Sequence, residues 1–326
     1  MVTPQQQDPI LTFGEAMALF TADQTGALST VPQFSRRLAG ADTNVAIGLA
    51  RLGFEVHWLS QVGDDSFGAY IRQCLEQEGI DCARFATLAG EHTGLMFKEK
   101  VLAGRDPKVE YFRTGSAASQ MTAGHADGLD CGHFRHLHCT GITPALSAGC
   151  RGLTWTLLRQ ARAEQTSISF DPNLRPTLWP DTATMRQTLN EMAALADWVM
   201  PGLEEGRILT GQQTPEAIAD HYLDMGCAAV AIKLGSEGSY FRGELDGRRQ
   251  TLEVPGFKVD EVVDTVGAGD AFAVGFVSGM LEGLGPEAAI RRGNLLGSAA
   301  VQVPGDMEGL PDRNGLAALE LRAPAP

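Results

Sequence analysis

The chain predicts an α/β fold with a mainly parallel central sheet covered on both faces, and three observations point there. Short apolar runs alternate with stretches whose apolar residues recur at helical spacing, the strand-then-helix order that generates parallel sheets. Continuously apolar runs such as AAVAI are what strands buried on both faces require. With 326 residues, 44% hydrophobic and 20% charged, the composition is that of a globular protein with room for a sizeable core.

Taken in order, ILTFGEAMALF begins as a strand ending at Gly14, and NVAIGLARLG carries the first helical pattern, closed by Gly53. EVHWLSQVG follows as a strand and FGAYIRQCLEQEG as a helix. TGLMFKEKV and KVEYFRTGS then read as two extended segments joined by the turn-rich LAGRDP, which interrupts the alternation. The rhythm resumes with HLHCTG as strand, GLTWTLLRQARAEQ as helix, SISFDPN as strand, MRQTLNEMAALA as helix and DWVMPG as strand. AAVAIKLGSEGSY supplies a further strand and loop. Two late helices, one after DTVGAGD and one through AAIRRGNLLGSAAVQ, complete the pattern. The segments 19–38 and 93–113 have no helices of their own and are expected to form a small β-sheet lid on one domain spanning 1–326, with an edge extension of the main sheet as the alternative.

Open parallel sheets bind ligands beyond the carboxyl ends of their strands. Gly14 with Glu15, Gly141 with Thr143, Asp171 to Arg175, Pro201 to Glu205 and Gly235 to Gly238 all follow predicted strands directly, which places them on one rim.

Composition narrows what that rim can bind. Asp plus Glu outnumber Lys plus Arg by 40 to 26, a net charge of -14, which argues against a nucleic-acid surface and against adsorption to anionic membranes. Any anionic ligand therefore needs a local basic pocket. No apolar run approaches the roughly 18 to 20 residues that span a bilayer, and MVTPQQQDPI lacks the order of a secretory signal, so a cytoplasmic location is expected. Six cysteines without a C-x-x-C pair argue for reduced thiols rather than disulfides or zinc. His133, His136 and His138 crowd one segment, but two of them lie two apart on a strand, which favours structural histidines over a metal site.

The stretch DTVGAGDAF sets two glycines and a carboxylate before the apolar run AFAVGFVSGML. Asp270 there is either an N-cap or a proton acceptor beside an anion held by the amides of Gly267, Ala268 and Gly269. A dinucleotide fingerprint fails, because the third glycine of G-x-G-x-x-G falls on Phe272. There is also no G-x-x-x-x-G-K-[ST], so phosphates are not held in the Walker manner.

LAGADTNVAIGLARLG near the start and DTVGAGDAF near the end resemble the two signatures of the ribokinase-like, or PfkB, carbohydrate kinases. Between them YFRTGSAAS, LHCTGITPAL, SFDPNLRPTLW and PGLEEGRILTG resemble the subgroup that phosphorylates 2-keto-3-deoxygluconate. The resemblance spans nearly the whole chain and implies a three-layer ribokinase-like fold and an ATP-dependent sugar kinase. Phosphoryl transfer asks mainly for positioning and charge stabilisation, and the motifs supply candidates for each part.

By this resemblance Asp270 takes the proton of the sugar's terminal hydroxyl, while Gly267, Ala268 and Gly269 face the transferring phosphoryl group. KLGSEGSY resembles the nucleotide loop, with Lys233 reaching a phosphate and Gly235, Ser236 and Gly238 allowing close backbone approach; Asn294 borders the adenine. Asn173 lies where sugar and nucleotide meet. Gly40 and Asn44 contact sugar hydroxyls, and Asp306 is a further substrate-side position that could equally cap a turn. Arg113 and Arg175 suit a carboxylate through their planar forks, with Tyr111 adding a hydroxyl beside Arg113. Magnesium arrives with ATP, held by phosphate oxygens, water and Glu205, and Asp264 helps order a monovalent-cation loop as in some relatives.

Two departures stand out. The first sugar-side motif usually begins Gly-Gly and here has Ala39; the later N-x-x-E becomes Gly202, Leu203, Glu204, Glu205, which loses the Asn. Expected partners are an acid sugar and ATP, with further copies of the chain in a homo-oligomer. The rival expectations are a kinase for a neutral ketose such as fructose and a sugar-binding regulator without catalysis.

Overall fold

The structure, a computed structural model, describes residues 8–101, 107–245 and 247–323. The signal reading at the N-terminus and most of the LAGRDP turn fall outside those residues. β1 (Ile10–Phe13) leads into β2 (Met17–Thr25) and β3 (Phe34–Ala39), then α1 (Ala41–Arg51), β4 (Val56–Gly63), α2 (Ser66–Gln77) and β5 (Phe85–Leu88). After β6 (Leu95–Lys100) and β7 (Val109–Phe112) come β8 (His136–Thr140), the short α3 (Thr143–Leu146), α4 (Ala148–Ala163) and β9 (Ser167–Asp171). α5 (Thr182–Ala193), β10 (Trp198–Val199), α6 (Leu203–Thr210), α7 (Pro215–Asp224) and β11 (Ala229–Lys233) continue the alternation. The hairpin β12 (Gly238–Leu245) and β13 (Arg248–Pro255) precedes α8 (Ala268–Leu281), α9 (Pro286–Ala300) and α10 (Arg313–Arg322).

Among the described residues nine strands form the large sheet in the order β13-β12-β11-β10-β9-β8-β1-β4-β5. All its pairings are parallel except those of β12, which pairs antiparallel with β11 and β13. The chain moves outward from β1 through β4 to β5, then restarts at β8 on the other side of β1. The crevice between the carboxyl ends of β1 and β8 is therefore the topological switch point, the place where such sheets bind ligands.

The period-two direction of side chains splits the central strands between two cores. Ile10 joins the core under α1, α2, α8 and α9, whereas Leu11 and Phe13 join the core under α4 to α7; on β11, Ala229 and Ala231 face the first, Val230 and Ile232 the second. Phe276, fully buried on α8, stacks among Phe272, Trp198 and Phe241 and so fixes α8 against the sheet. Truncating it to Ala is expected to cost ~3 to 5 kcal/mol. α1 lies so close to α8 that a Cβ on Gly48 would stand 2.4 Å from Val274 Cγ2.

The second sheet has the order β3-β2-β6-β7 and so gathers both helix-free segments. One face packs through Met17, Leu19, Ala39 and Met96. The other carries an aromatic row in which Phe20 stacks on Phe97 and meets Phe67 of α2. Sequence reading did not anticipate the β12–β13 hairpin, whose glycines and charges hide an edge pair, nor α6, α7 and α10, which are short. His136 and His138, at the sheet centre, bond to Ser167 and Ser169 of β9. The six cysteines are free thiols, four of them buried. Among the described residues no helix is long and apolar enough to cross a membrane.

Candidate active site

Among the described residues five helices are capped by side chains, Asp65 on α2, Ser147 on α4, Asp181 on α5, Thr214 on α7 and Asp312 on α10. α1 and α8, whose N-termini line the site, are not. α1 starts at Gly40 and α8 at Gly267, which offer no side-chain oxygen, so their leading N–H groups remain donors for a ligand. Gly267 has φ 80°, and a Cβ there would stand 2.2 Å from Asp306 O; only glycine fits.

This start corrects the capping reading of Asp270. The cap of α8 is Gly267, and Asp270, third residue of the helix, turns its carboxylate to two amides: Asn44 Nδ2 donates to Oδ2 at 2.7 Å and Asn173 Nδ2 to Oδ1 at 3.2 Å. Asn173 reaches it from a left-handed backbone, φ 38°, unusual for a residue with a side chain. Burial raises the Asp270 pKa to about 7; the Asn44 bond opposes the rise and the Asp171 charge adds to it.

Lys233 Nζ lies 2.6 Å from Asp171 Oδ2. Burial opposes the Lys233 charge, but Asp171, Glu205 and Asp270 outweigh it and hold the ammonium protonated above its ordinary range. Burial in turn lifts Asp171 to about 6 against the pull of Lys233, so the pair is ionised at neutral pH. A Cβ on Gly269 would stand 3.4 Å from Lys233 Nζ, which puts a cation beside the α8 N-terminus.

Two clefts meet there. One, about 390 Å³, is lined by Gly235, Ser236, Gly238, Asn294, Ala268 and Gly269, with Phe257, Val259 and Val262 giving it an apolar wall. The other, about 370 Å³, is lined by Gly40, Asn44, Tyr111, Arg113, Asn173, Arg175, Glu205, Gly267, Asp270 and Asp306. Lys233, Thr265 and Gly269 belong to both. The candidates of the sequence thus gather in two adjoining chambers, with Asn173 on the Asp270 side of the junction.

Several candidates are already engaged. Asn294 donates to Val254 O and Pro255 O and accepts from Ser239 Oγ, so its amide secures the hairpin and only its flank is open to a ligand. Glu205 accepts from Leu174 N and Gly202 N, both at 2.7 Å, and so orders the turns around the cleft. Asp306 Oδ1 and Asp264 Oδ2 both meet Lys98 Nζ. Arg113 Nη2 lies 2.5 Å from Glu15 Oε2, with Ser116 Oγ donating to the other Glu15 oxygen. Arg175 donates to the carbonyls of Asn173 and Leu174 and has no carboxylate partner among the described residues.

Sequence reasoning placed Glu15 and Asp171 on the rim without a role and passed over Lys98 and Asp42. Asp42 is buried on α1, accepts from Thr140 and Thr143, and is lifted by burial to about 7. Its signal was its position, an acid in the first turn of a helix whose following residues, Val45 to Leu49, are apolar or glycine.

The chain belongs to the pfkB family of carbohydrate kinases: the pfkB family carbohydrate kinase profile matches residues 7–313. It is 52% identical over 311 residues to the 2-dehydro-3-deoxygluconokinase of Bacillus subtilis (strain 168), with 94% of each chain covered. Among solved structures, the PfkB protein from Polaromonas sp. JS666 shares 47% identity at a TM-score of 0.87, covering 95% of this chain and 99% of that one. An E. coli protein assigned as ribokinase II, solved with ATP and Mg²⁺, also superposes at 0.87 with 26% identity over 97% and 99% of the two chains.

Proposed function

We propose that this chain transfers the γ-phosphate of ATP to the terminal hydroxyl of 2-keto-3-deoxygluconate, giving 2-keto-3-deoxy-6-phosphogluconate. The observation that carries the mechanism is the junction of the two clefts at Gly269, with the buried Asp270 carboxylate on one side of it. ATP lies in the chamber with the apolar wall, its phosphates toward Lys233 and the α8 N-terminus. The sugar lies in the other. Asp270 accepts the hydroxyl proton as the oxygen attacks the γ-phosphorus, and the bond to the β–γ bridging oxygen breaks to release ADP. A pKa of about 7 suits a base at neutral pH. The free amides at the start of α8 and the Lys233 ammonium meet the charge on the transferring group, fixed in place before it develops.

Magnesium, bound with ATP, would shield the phosphate charges. The protein offers it little: among the described residues no group of three His, Cys, Asp or Glu side chains could hold a metal, and Glu205 is bonded to backbone amides. That donor set fits an ion held by phosphate oxygens and water, with Glu205 as an outer contact.

The acid-sugar reading rests on Arg175 and Arg113. Both line the sugar cleft, but Glu15 already neutralises Arg113, so Arg175 carries the larger share of carboxylate recognition. Tyr111, half exposed at the cleft mouth, and Gly40, Asn44 and Asp306 deeper in remain the hydroxyl contacts. A cytoplasmic location, read from the sequence, and a homo-oligomer belong to this reading as expectations. The test is ADP formation from ATP and magnesium with acid and neutral sugars. 2-Keto-3-deoxygluconate should give the highest kcat/KM; a preference for fructose would move the assignment to a neutral-ketose kinase, and no turnover with any sugar to a regulator.

A further inference from the structure

Lys98 lies on β6 of the small sheet, 2% exposed, and its ammonium ends between two carboxylates brought from the far end of the chain. Nζ is 2.5 Å from Asp264 Oδ2 and 3.0 Å from Asp306 Oδ1. Both carboxylates belong to the segments that shape the start of α8. Asp264 Oδ1 accepts from Val266 N, one residue before Gly267, and Asp264 Oδ2 accepts from Gly305 N. The Asp306 carbonyl lies against Gly267, and the Asp264 amide donates to Val301 O. A second pair, Arg37 of β3 with Glu308 at 2.6 Å, joins the small sheet to the same loop nearer the surface.

We infer that Lys98 is a positioning residue for phosphoryl transfer: its ammonium, carried on the small sheet, holds the loop that presents the Gly267 to Gly269 amides. Two buried carboxylates require a cation between them. Here it is covalently part of the chain, so the Asp264 carboxylate is not open to a monovalent cation, and that expectation from the resemblance does not fit these residues. The order of the amides is thereby coupled to the seating of the small sheet. A lysine that only added stability would act on folding alone, without cation-specific effects and without separating kcat from KM.

The inference rests on the kinase reading, and the test uses two readouts to keep them apart. Sugar phosphorylation and the thermal midpoint are measured in potassium, sodium and tetramethylammonium chloride at equal ionic strength. The wild type should give the same turnover within about twofold in all three, and no potassium-specific shift of the midpoint. Lys98→Ala should lose about tenfold or more in kcat with a smaller change in sugar KM. Potassium or methylammonium should return part of that turnover and raise its midpoint, while tetramethylammonium, too bulky for the gap, should do neither. A wild type that needs potassium, or a Lys98→Ala protein whose activity is intact or falls without any cation-specific response, overturns the inference. If Lys98→Ala does not fold, the wild-type cation series decides. A wild type inactive with every sugar counts against the kinase reading instead, and the midpoints still report on Lys98.

Discussion

Asn44 donates to Asp270 across 2.7 Å, so a residue of the same cleft sets the basicity of the carboxylate at the start of α8. The bond stabilises the ionised form and works against burial, which carries Asp270 to about 7. Asp42, on the same helix as Asn44, is charge-coupled to Asp270 in the opposite sense. The rate should therefore fall as pH drops through neutrality. Asn44→Leu should move that acid limb of kcat/KM to higher pH, and Asp42→Asn should move it lower. The limb belongs to the coupled Asp42, Asp171 and Asp270 cluster, so the direction of each shift is the test. Shifts of the same sign in both variants would remove Asp270 as the controlling group.

The buried ionisable groups also pull stability in opposite directions. Asp42 has a folded pKa raised from 3.8 to about 7, so its contribution is fully present below the lower value and is lost as pH rises toward the upper. His138 has its pKa lowered by burial from 6.5 to about 3, so its contribution is present above the first value and is lost as pH falls toward the second. Asp42→Asn should accordingly gain more in thermal midpoint at about pH 8 than at about pH 5. A gain independent of pH would mean that Asp42 is not the titrating group.

Ser169 bonds to both His136 and His138 beneath the site, at 2.7 and 2.8 Å. Ser169→Ala leaves two buried ring nitrogens without that hydroxyl and should cost ~1 to 3 kcal/mol in denaturant unfolding. Kinase activity of the folded variant should be close to normal. A neutral effect on stability would show that the imidazoles find other partners.

On the proposed reading, the arginine pair should separate acid from neutral sugars. Removing a charge-assisted hydrogen bond should cost ~1.5 to 3 kcal/mol, roughly ten- to a hundredfold in kcat/KM for the acid sugar. Arg175→Met should show it, with some loss for both sugars because Arg175 lines the same cleft as Gly269 and Asp270. Arg113→Met alone leaves Glu15 buried without its partner, which is destabilising. The cleaner variant is Glu15→Gln with Arg113→Met, in which acid-sugar kcat/KM should fall while that of a neutral ketose changes little. Equal losses for both sugars would remove the carboxylate role from Arg113.

Much of this was legible in the sequence because it is local. The strand-then-helix rhythm, the GAGD start of α8 and the glycine before α1 each occupy one short stretch, and the switch-point rule places them on one rim. What the sequence concealed is long-range pairing. Lys98 meets Asp306 across 208 positions and Arg113 meets Glu15 across nearly a hundred; no spacing rule signals either. Asn294 shows the reverse difficulty, since a polar residue on a late helix gives no sign that its amide is spent on the hairpin backbone.

The most direct measurement is turnover and ligand binding of Asp270→Asn. The Asn keeps the size of the side chain but cannot accept the hydroxyl proton as a carboxylate does. Affinities for ATP and 2-keto-3-deoxygluconate, read by calorimetry, should stay within a few-fold, while kcat falls by ~10² or more. Turnover close to that of the wild type, with folding intact, would contradict a general base at Asp270 and leave the carboxylate a structural partner of Asn44 and Asn173.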